Sequence, residues 1–220
     1  MRKINVVIML VCYLVVLSII NVFGDIQVNA CDTCIDVSQQ IAEQQNILTN
    51  AHQMADSARA LGFKEDNDII ITAGLIWKDA NAKLNVLQEI SKQSNSDIYY
   101  ISKTMRREAY GSVNVELAKI GWCVLNRVDR GSSIKDVVTQ PNQFAYSAYS
   151  DGDMYYDIAL DVYIRWQYEK EGIQNVGRVL PADYVQFRGD GKLNHYYKTY
   201  NDAQKNINEY TNWLVSPYEQ

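Results

Sequence analysis

The sequence lacks any long run of lysine and arginine, and its 21 basic residues are outnumbered by 26 acidic ones. The net charge is −5 at pH 7. Because a protein that binds nucleic acid must neutralise phosphates with a basic surface, this composition argues against nucleic acid as a partner. With 47% hydrophobic and 21% charged residues, the chain has the balance of a globular protein with one packed core.

Cysteine is also scarce, and only Cys31 and Cys34 form a C-x-x-C pair. A redox site would need that pair at the start of a helix in a βαβ unit, but here it follows an apolar run in a polar segment. We interpret it as a small disulfide or as a pair without function. Cys123 lies among aliphatic residues, where a thiol behaves as a small hydrophobe. A thiol peptidase pairing Cys123 with His195 is therefore disfavoured.

The N-terminus reads as an export signal, because Arg2 and Lys3 precede a largely apolar run over residues 6–23. Residues 1–30 are predicted to be a signal peptide or a membrane anchor. Cleavage before Cys31 and retention through residues 4–23 both stay open. In either case the rest of the chain is expected outside the cytoplasm, secreted or anchored to the cytoplasmic membrane.

Proline is absent between residues 35 and 93, and that stretch has only two glycines. Apolar residues recur at helical spacing and predict one helix over 37–61, ended by Gly62, and a second over 69–90 after a capping cluster at 66–68. The two helices predict a hairpin that makes residues 31–96 a stalk or brace, with a partner-binding module as the alternative. A Ser- and Asn-rich loop then marks the start of a second domain, residues 97–220, which is expected to fold alone.

A carboxylate stands out on the next predicted helix, residues 98–110, with Asp97 as its N-cap and Gly111 at its end. Glu108 follows Ile101 by seven residues and therefore lies on the same apolar face. Such a carboxylate is costly unless it is paired or lies in a cleft, where desolvation raises its pKa and suits it to general acid catalysis. The alternative is a structural ion pair with one of three arginines: Arg106, Arg107 or Arg127.

A further helix is predicted over 113–128, and its last turn carries Asn126 and Arg127, which could simply cap it. The segment 140–144 breaks the helical pattern, and tyrosines crowd the residues after it. Tyrosine rings stack on sugar faces while their hydroxyls bond sugar oxygens, so these residues suggest a carbohydrate groove. Tyrosines in the core faces of amphipathic helices remain the alternative.

Four segments in this order resemble the SleB-type cell-wall hydrolases, which include spore cortex-lytic enzymes. They are Arg-Glu-Ala-Tyr-Gly at 107–111, Val-Leu-Asn-Arg-Val at 124–128, Gln-Pro-Asn-Gln-Phe at 140–144, and Leu-Pro-Ala-Asp-Tyr at 180–184 with Asn-His-Tyr-Tyr at 194–197. Together they span about half of the chain. Many members of the family carry an acidic residue directly after the glycine, where this chain has Ser112.

The resemblance implies a mainly α (α+β) catalytic domain, lysozyme-like and similar to goose-type lytic transglycosylases, with a small β element beside the cleft. It implies that Glu108 is catalytic and that the substrate is the glycan strand of peptidoglycan. In a lytic transglycosylase this one carboxyl group serves as acid and base. The alternatives are a muramidase-type hydrolase that uses water, and a membrane-anchored scaffold that binds glycan without cutting it.

The remaining candidate residues are those for substrate contacts, for a second carboxylate and for a structural histidine. Substrate contacts are expected from Tyr110, Asn126, Gln143, Phe144 and Tyr146. A hydrolase would need a second carboxylate, for which Asp151 and Asp153 are candidates, although Asp-Gly-Asp is equally typical of a solvated turn. His195 is expected to be structural, with a catalytic role as the lesser alternative. No cofactor and no metal site are predicted.

Overall fold

The computed structural model describes residues 36–93, 96–109, 111–145, 153–190, 193–211 and 216–218. The predicted export signal and the Cys31–Cys34 pair lie outside these ranges. The described chain is mainly helical, as predicted. Its elements are α1 (Val37–Ala60), α2 (Asp68–Lys92), α3 (Ser96–Glu108), α4 (Asn114–Val128), α5 (Ile134–Thr139), α6 (Asp153–Lys170), β1 (Gln186–Gly189), β2 (Asn194–Tyr197) and α7 (Tyr200–Lys205).

Helices α1 and α2 form the predicted hairpin. Asp36 caps α1 by accepting the N–H groups of Ser38 and Gln39, and Gly62 ends it with a φ of +84°, a conformation that glycine adopts without strain. Within the predicted capping cluster, Asn67 is the residue that caps α2. Alanines fill the contact between the two helices and let their backbones approach closely: Ala51, Ala55, Ala58, Ala73 and Ala80.

Helix α4 is the centre of the molecule. Ten of its 15 residues are buried, which is the pattern of a helix covered on all sides rather than along one stripe. Gly121 marks its closest approach to α3 and α6, since a Cβ atom there would lie 2.4 Å from the Met105 side chain and 3.2 Å from that of Val162. A side chain at position 121 would therefore require the Met105 side chain to move.

The core extends into the hairpin. Val86, Leu87 and Ile90 near the end of α2 belong to the same hydrophobic cluster as Ile101 of α3 and the aliphatic residues of α4 and α6. The helices α2 and α3 therefore belong to one shared core. Within the described ranges, no helix has both the length and the apolar character that a membrane span requires.

The expected small β element is a hairpin in which β1 and β2 run antiparallel, with Gln186 opposite Tyr197 and Gly189 opposite Asn194. One boundary prediction was wrong. Asp97 is not the N-cap of α3, because the helix already includes Ser96 and places Asp97 in its first turn. A carboxylate there still interacts favourably with the positive end of the helix dipole.

Candidate active site

Glu108 is the last residue of α3 and is half-buried. Ile101 and Met105 of the same helix are buried, as is Ala109 directly after it, so the predicted apolar face is confirmed. Oε1 of Glu108 accepts the backbone N–H of Ala145, which follows the 140–144 segment. The carboxyl group thus lies where α3 meets a loop 37 residues further along the chain.

Burial raises the pKa of Glu108 above its ordinary value. The Ala145 N–H and the charges of Arg107 and Arg127 favour the carboxylate, but they only partly offset the desolvation. A carboxyl group in this environment holds a proton at higher pH than an exposed glutamate does, as a general acid requires.

The guanidinium of Arg127 contacts groups other than the Glu108 carboxylate. Its Nε donates to the Val185 carbonyl at 2.6 Å, and its Nη1 donates to Oε1 of Gln143 at 2.9 Å. The guanidinium also lies over the Phe144 ring, 4.3 Å from its centroid. Within the described part of the chain, neither Arg127 nor the exposed Arg107 forms an ion pair with Glu108. The charge of Arg127 therefore acts on Glu108 through space.

Asn126 does not fit its predicted role as a substrate contact. It is 1% exposed, and its Nδ2 donates to the carbonyls of Pro181 and Tyr184, both at 2.8 Å. Its Oδ1 accepts from Arg178 at 2.6 Å. With both ends of the amide engaged and no exposed surface, Asn126 braces the 178–184 segment against α4. The reading of Asn126 as a cap of its own helix is also wrong, because its partners are more than 50 residues away.

Phe144 and Gln143 take different places beside Glu108. Phe144 is buried and begins an aromatic row, with its ring centroid 5.7 Å from that of Phe187, which in turn lies 6.0 Å from Tyr196. Gln143 is exposed, and Arg127 fixes its side-chain oxygen. Gln143 is therefore placed to meet a ligand, whereas Phe144 forms part of the wall behind it.

Three predicted residues, Tyr110, Tyr146 and Asp151, lie outside the described residues. Asp153 is the first residue of α6. Substrate contacts by Tyr110 and Tyr146 therefore stay predictions. So does a second carboxylate at Asp151 or Asp153.

His195 stands apart from Glu108. Its Nδ1 lies 2.7 Å from Glu209 and its Nε2 lies 3.1 Å from Asp190, and these two hydrogen bonds raise its pKa. The preceding Asn194 donates to the Glu108 carbonyl at 3.5 Å. Successive side chains of a strand point to opposite faces, so His195 points away from the face that contacts Glu108. This arrangement fits the structural role expected of His195.

A second carboxylate, Glu116 on α4, is not marked by any sequence motif. It is 6% exposed and accepts the Tyr196 hydroxyl at 3.0 Å, with Nζ of Lys119 at 3.9 Å. These contacts anchor β2 to α4. Helical periodicity alone could have placed Glu116 on the buried face, four residues before Ile120 and seven before Cys123. Its partner 80 residues away has no local signal.

Cys123 is fully buried, and desolvation raises its pKa to about 11. A thiol with such a pKa stays protonated near neutral pH, although a nucleophilic cysteine must be a thiolate. The geometry therefore agrees with the interpretation of Cys123 as a core residue.

Comparison of the chain with protein-family models, with curated proteins and with solved structures gave no match. The resemblance to SleB-type hydrolases thus rests on the four sequence segments. The fold joins all four by hydrogen bonds: Asn194 to Glu108, Asn126 to Pro181 and Tyr184, Arg127 to Gln143, and Ala145 to Glu108.

Proposed function

We propose that this protein cleaves the glycan strands of peptidoglycan at the MurNAc–GlcNAc bond, as a lytic transglycosylase with Glu108 as its single acid and base. The observation that carries the proposal is the half-buried carboxyl group of Glu108, whose pKa burial raises. It lies where the four segments that resemble the SleB-type family meet. We also propose that the helical domain around it is lysozyme-like, similar to goose-type lytic transglycosylases.

In the first step the protonated carboxyl group of Glu108 donates its proton to the glycosidic oxygen as the bond to C1 of MurNAc breaks. In the second step the resulting carboxylate removes the proton from the 6-hydroxyl of the same sugar, and that oxygen bonds to C1. The products are a free GlcNAc hydroxyl and a 1,6-anhydro-MurNAc end. Glu108 ends protonated as it began, and no water is consumed.

Glu116 does not supply the second carboxylate that hydrolysis would need. Glu116 on the neighbouring helix is covered by protein and engaged by Tyr196, so it is not accessible to activate water at a bound sugar. A hydrolase would need Asp151 or Asp153 to act as the second carboxylate. The identity of the product distinguishes the two mechanisms.

An exposed polar group beside Glu108 and an aromatic row behind it support a glycan as the substrate. Ala145 and Gln143 are exposed, so the carboxyl group lies at the edge of the protein rather than in a closed cavity. Gln143 offers an amide to sugar hydroxyls, and the row that starts at Phe144 provides an apolar backing. We place this activity outside the cytoplasm, in keeping with the basic and apolar N-terminus.

Mass spectrometry of fragments released from purified peptidoglycan tests the proposal. The full chain is expected to produce 1,6-anhydro ends, whereas a muramidase would produce reducing ends that are heavier by one water. Glu108→Gln should lower the rate by about 10²–10⁴-fold or more, because the amide cannot donate the proton. Glu89→Gln makes the same chemical change at an exposed site on α2 and should cleave normally. Near-normal cleavage by Glu108→Gln would refute the assignment.

A further inference from the structure

We infer that the backbone N–H of Ala145 is a positioning group for Glu108, holding one carboxyl oxygen so that the other presents the proton to the substrate. This inference rests on the proposed function and deepens it. Ala145 carries no reactive side chain, and its contribution is a single main-chain donor. Nothing in the residue type at position 145 signals such a role.

The contacts at Glu108 fix both ends of the residue. Its main-chain carbonyl accepts from Asn194 at 3.5 Å, and its Oε1 accepts from Ala145. An oxygen that accepts a hydrogen bond from an N–H group cannot also donate a proton in that direction. The proton of the neutral acid therefore belongs on Oε2, which has no hydrogen-bond partner among the described residues. A glycosidic oxygen can approach that side.

The donor itself is held by a braced turn. Gln143 donates its N–H to the Gln140 carbonyl at 3.2 Å, and the Asn142 backbone adopts a φ of +61°. Arg127 then fixes the Gln143 side chain and covers the Phe144 ring. Because Phe144 is buried, the amide that follows it is aimed at Glu108 by packing. Positioning by a packed segment keeps a catalytic group in place more reliably than a free loop would.

The other charged and titratable groups around Glu108 do not obscure the effect of this N–H on the pKa of Glu108. The charges of Arg107 on α3 and Arg127 on α4 act on the pKa of Glu108. Cys123 on α4 and Tyr196 on β2 interact electrostatically with Glu108, and burial raises the pKa of each, so both stay neutral near pH 7. Among these groups, Glu108 is the one carboxyl group, so a titration that follows its carboxyl carbon reports on it alone.

The test removes the N–H and keeps the shape of the chain. Incorporation of lactic acid in place of Ala145 in the full-length protein replaces one amide with an ester, and Ala145→Pro provides a second variant without the donor. Ala145→Gly keeps the N–H and serves as the matched control. The two readouts are the pKa of Glu108, from NMR titration of ¹³C-labelled carboxyl groups, and the pH dependence of kcat and kcat/KM on peptidoglycan.

The ester should raise the pKa of Glu108 and move the alkaline limb of the rate profile to higher pH, because the lost N–H favoured the charged form. It should also lower kcat by up to about 10²-fold, with a small change in KM, because the carboxyl group is no longer aligned. Ala145→Gly keeps the N–H and should leave the pKa of Glu108 unshifted. A folded ester variant with an unshifted pKa, in a chain that cleaves peptidoglycan, would overturn the inference. A shifted pKa in a chain that never cleaves would confirm the contact and overturn the proposed function instead.

Discussion

At position 108 the fold keeps a carboxyl group half-buried, and desolvation is the main cause of its raised pKa. A group with a higher pKa in the folded chain than in the unfolded chain binds more protons when folded. Its contribution to stability therefore falls as the pH rises from the unfolded pKa through the folded pKa. The ordinary value of 4.5 marks the lower end of that window.

Glu108→Gln should accordingly melt at a higher temperature than the wild type above the window, and the difference should vanish below it. Thermal melts at a series of pH values from about 4 to 8 measure this. Glu89→Gln, at an exposed position, should show no such trend. If Glu108→Gln unfolded at neutral pH, the side chain would be a structural partner and the acid/base role would lose its support.

Asn126 and Gln143 should respond oppositely to truncation. Asn126→Ala leaves the Tyr184 carbonyl without its partner, while the Pro181 carbonyl and Nη1 of Arg178 each lose one of two hydrogen bonds. A buried acceptor left unpaired costs about 1–3 kcal/mol, so we expect destabilisation of about that size in urea unfolding. Gln143→Ala, at an exposed site, should change stability little and raise KM. A stable Asn126→Ala protein with a raised KM would restore Asn126 as a substrate contact.

Periodicity located Glu108 because helical phase is a local property, set by Ile101 and Met105 within seven residues. The partners of Asn126 and Ala145 could not be found in this way. Asn126 reaches residues 55 and 58 positions away, and the donor at Ala145 is a main-chain group that every residue except proline carries. Such contacts are set by the tertiary fold.

At the scale of elements, the ends of α1 and α2 were predictable because Gly62 and Asn67 act within their own turns. The β-hairpin was expected from the resemblance alone. Its strands have four residues each, too few for an alternating pattern to be distinctive. Its position depends on Tyr196 reaching Glu116 and on Asn194 reaching Glu108.

His195, on the face of this hairpin that points away from Glu108, should make the stability of the protein depend on pH. His195 links Asp190, just after β1, to Glu209, and both carboxylates raise its pKa. The stabilisation is complete below the ordinary histidine pKa of 6.5 and is lost as the pH rises through the higher folded value. The melting temperature of the wild type should therefore exceed that of His195→Gln by more at about pH 6 than at about pH 8.5.

The matched control is His52→Gln, which removes the other histidine from an exposed site on α1. We expect it to leave the pH dependence of the melting temperature in place. A His195→Gln protein with the same pH dependence as the wild type would show that the two carboxylates do not hold the hairpin through His195.

For the whole molecule, the predicted boundary at residues 96–97 falls at the start of α3, after the end of α2 at Lys92, but packing continues across it. Leu87 is completely buried, and Val86 and Ile90 lie in the same cluster as α3 and α4. Sequence composition indicated the break between α2 and α3 because serine and asparagine are local signals. It could not show which helices share a core, since an apolar face does not specify its partner.

The expectation that residues 97–220 fold alone should therefore fail. Burial of Val86, Leu87 and Ile90 contributes about 1.5–3 kcal/mol each, and their combined loss of about 5–9 kcal/mol rivals the total stability of an ordinary domain. A fragment of residues 68–220 keeps α2 and should unfold cooperatively in urea, whereas residues 97–220 should not. At single-residue level, Leu87→Ala should cost about 2–5 kcal/mol. Leu75→Ala on the same helix, where the side chain is 64% exposed, should cost much less. Cooperative unfolding of residues 97–220 at near full-length stability would show instead that the hairpin is a separate brace.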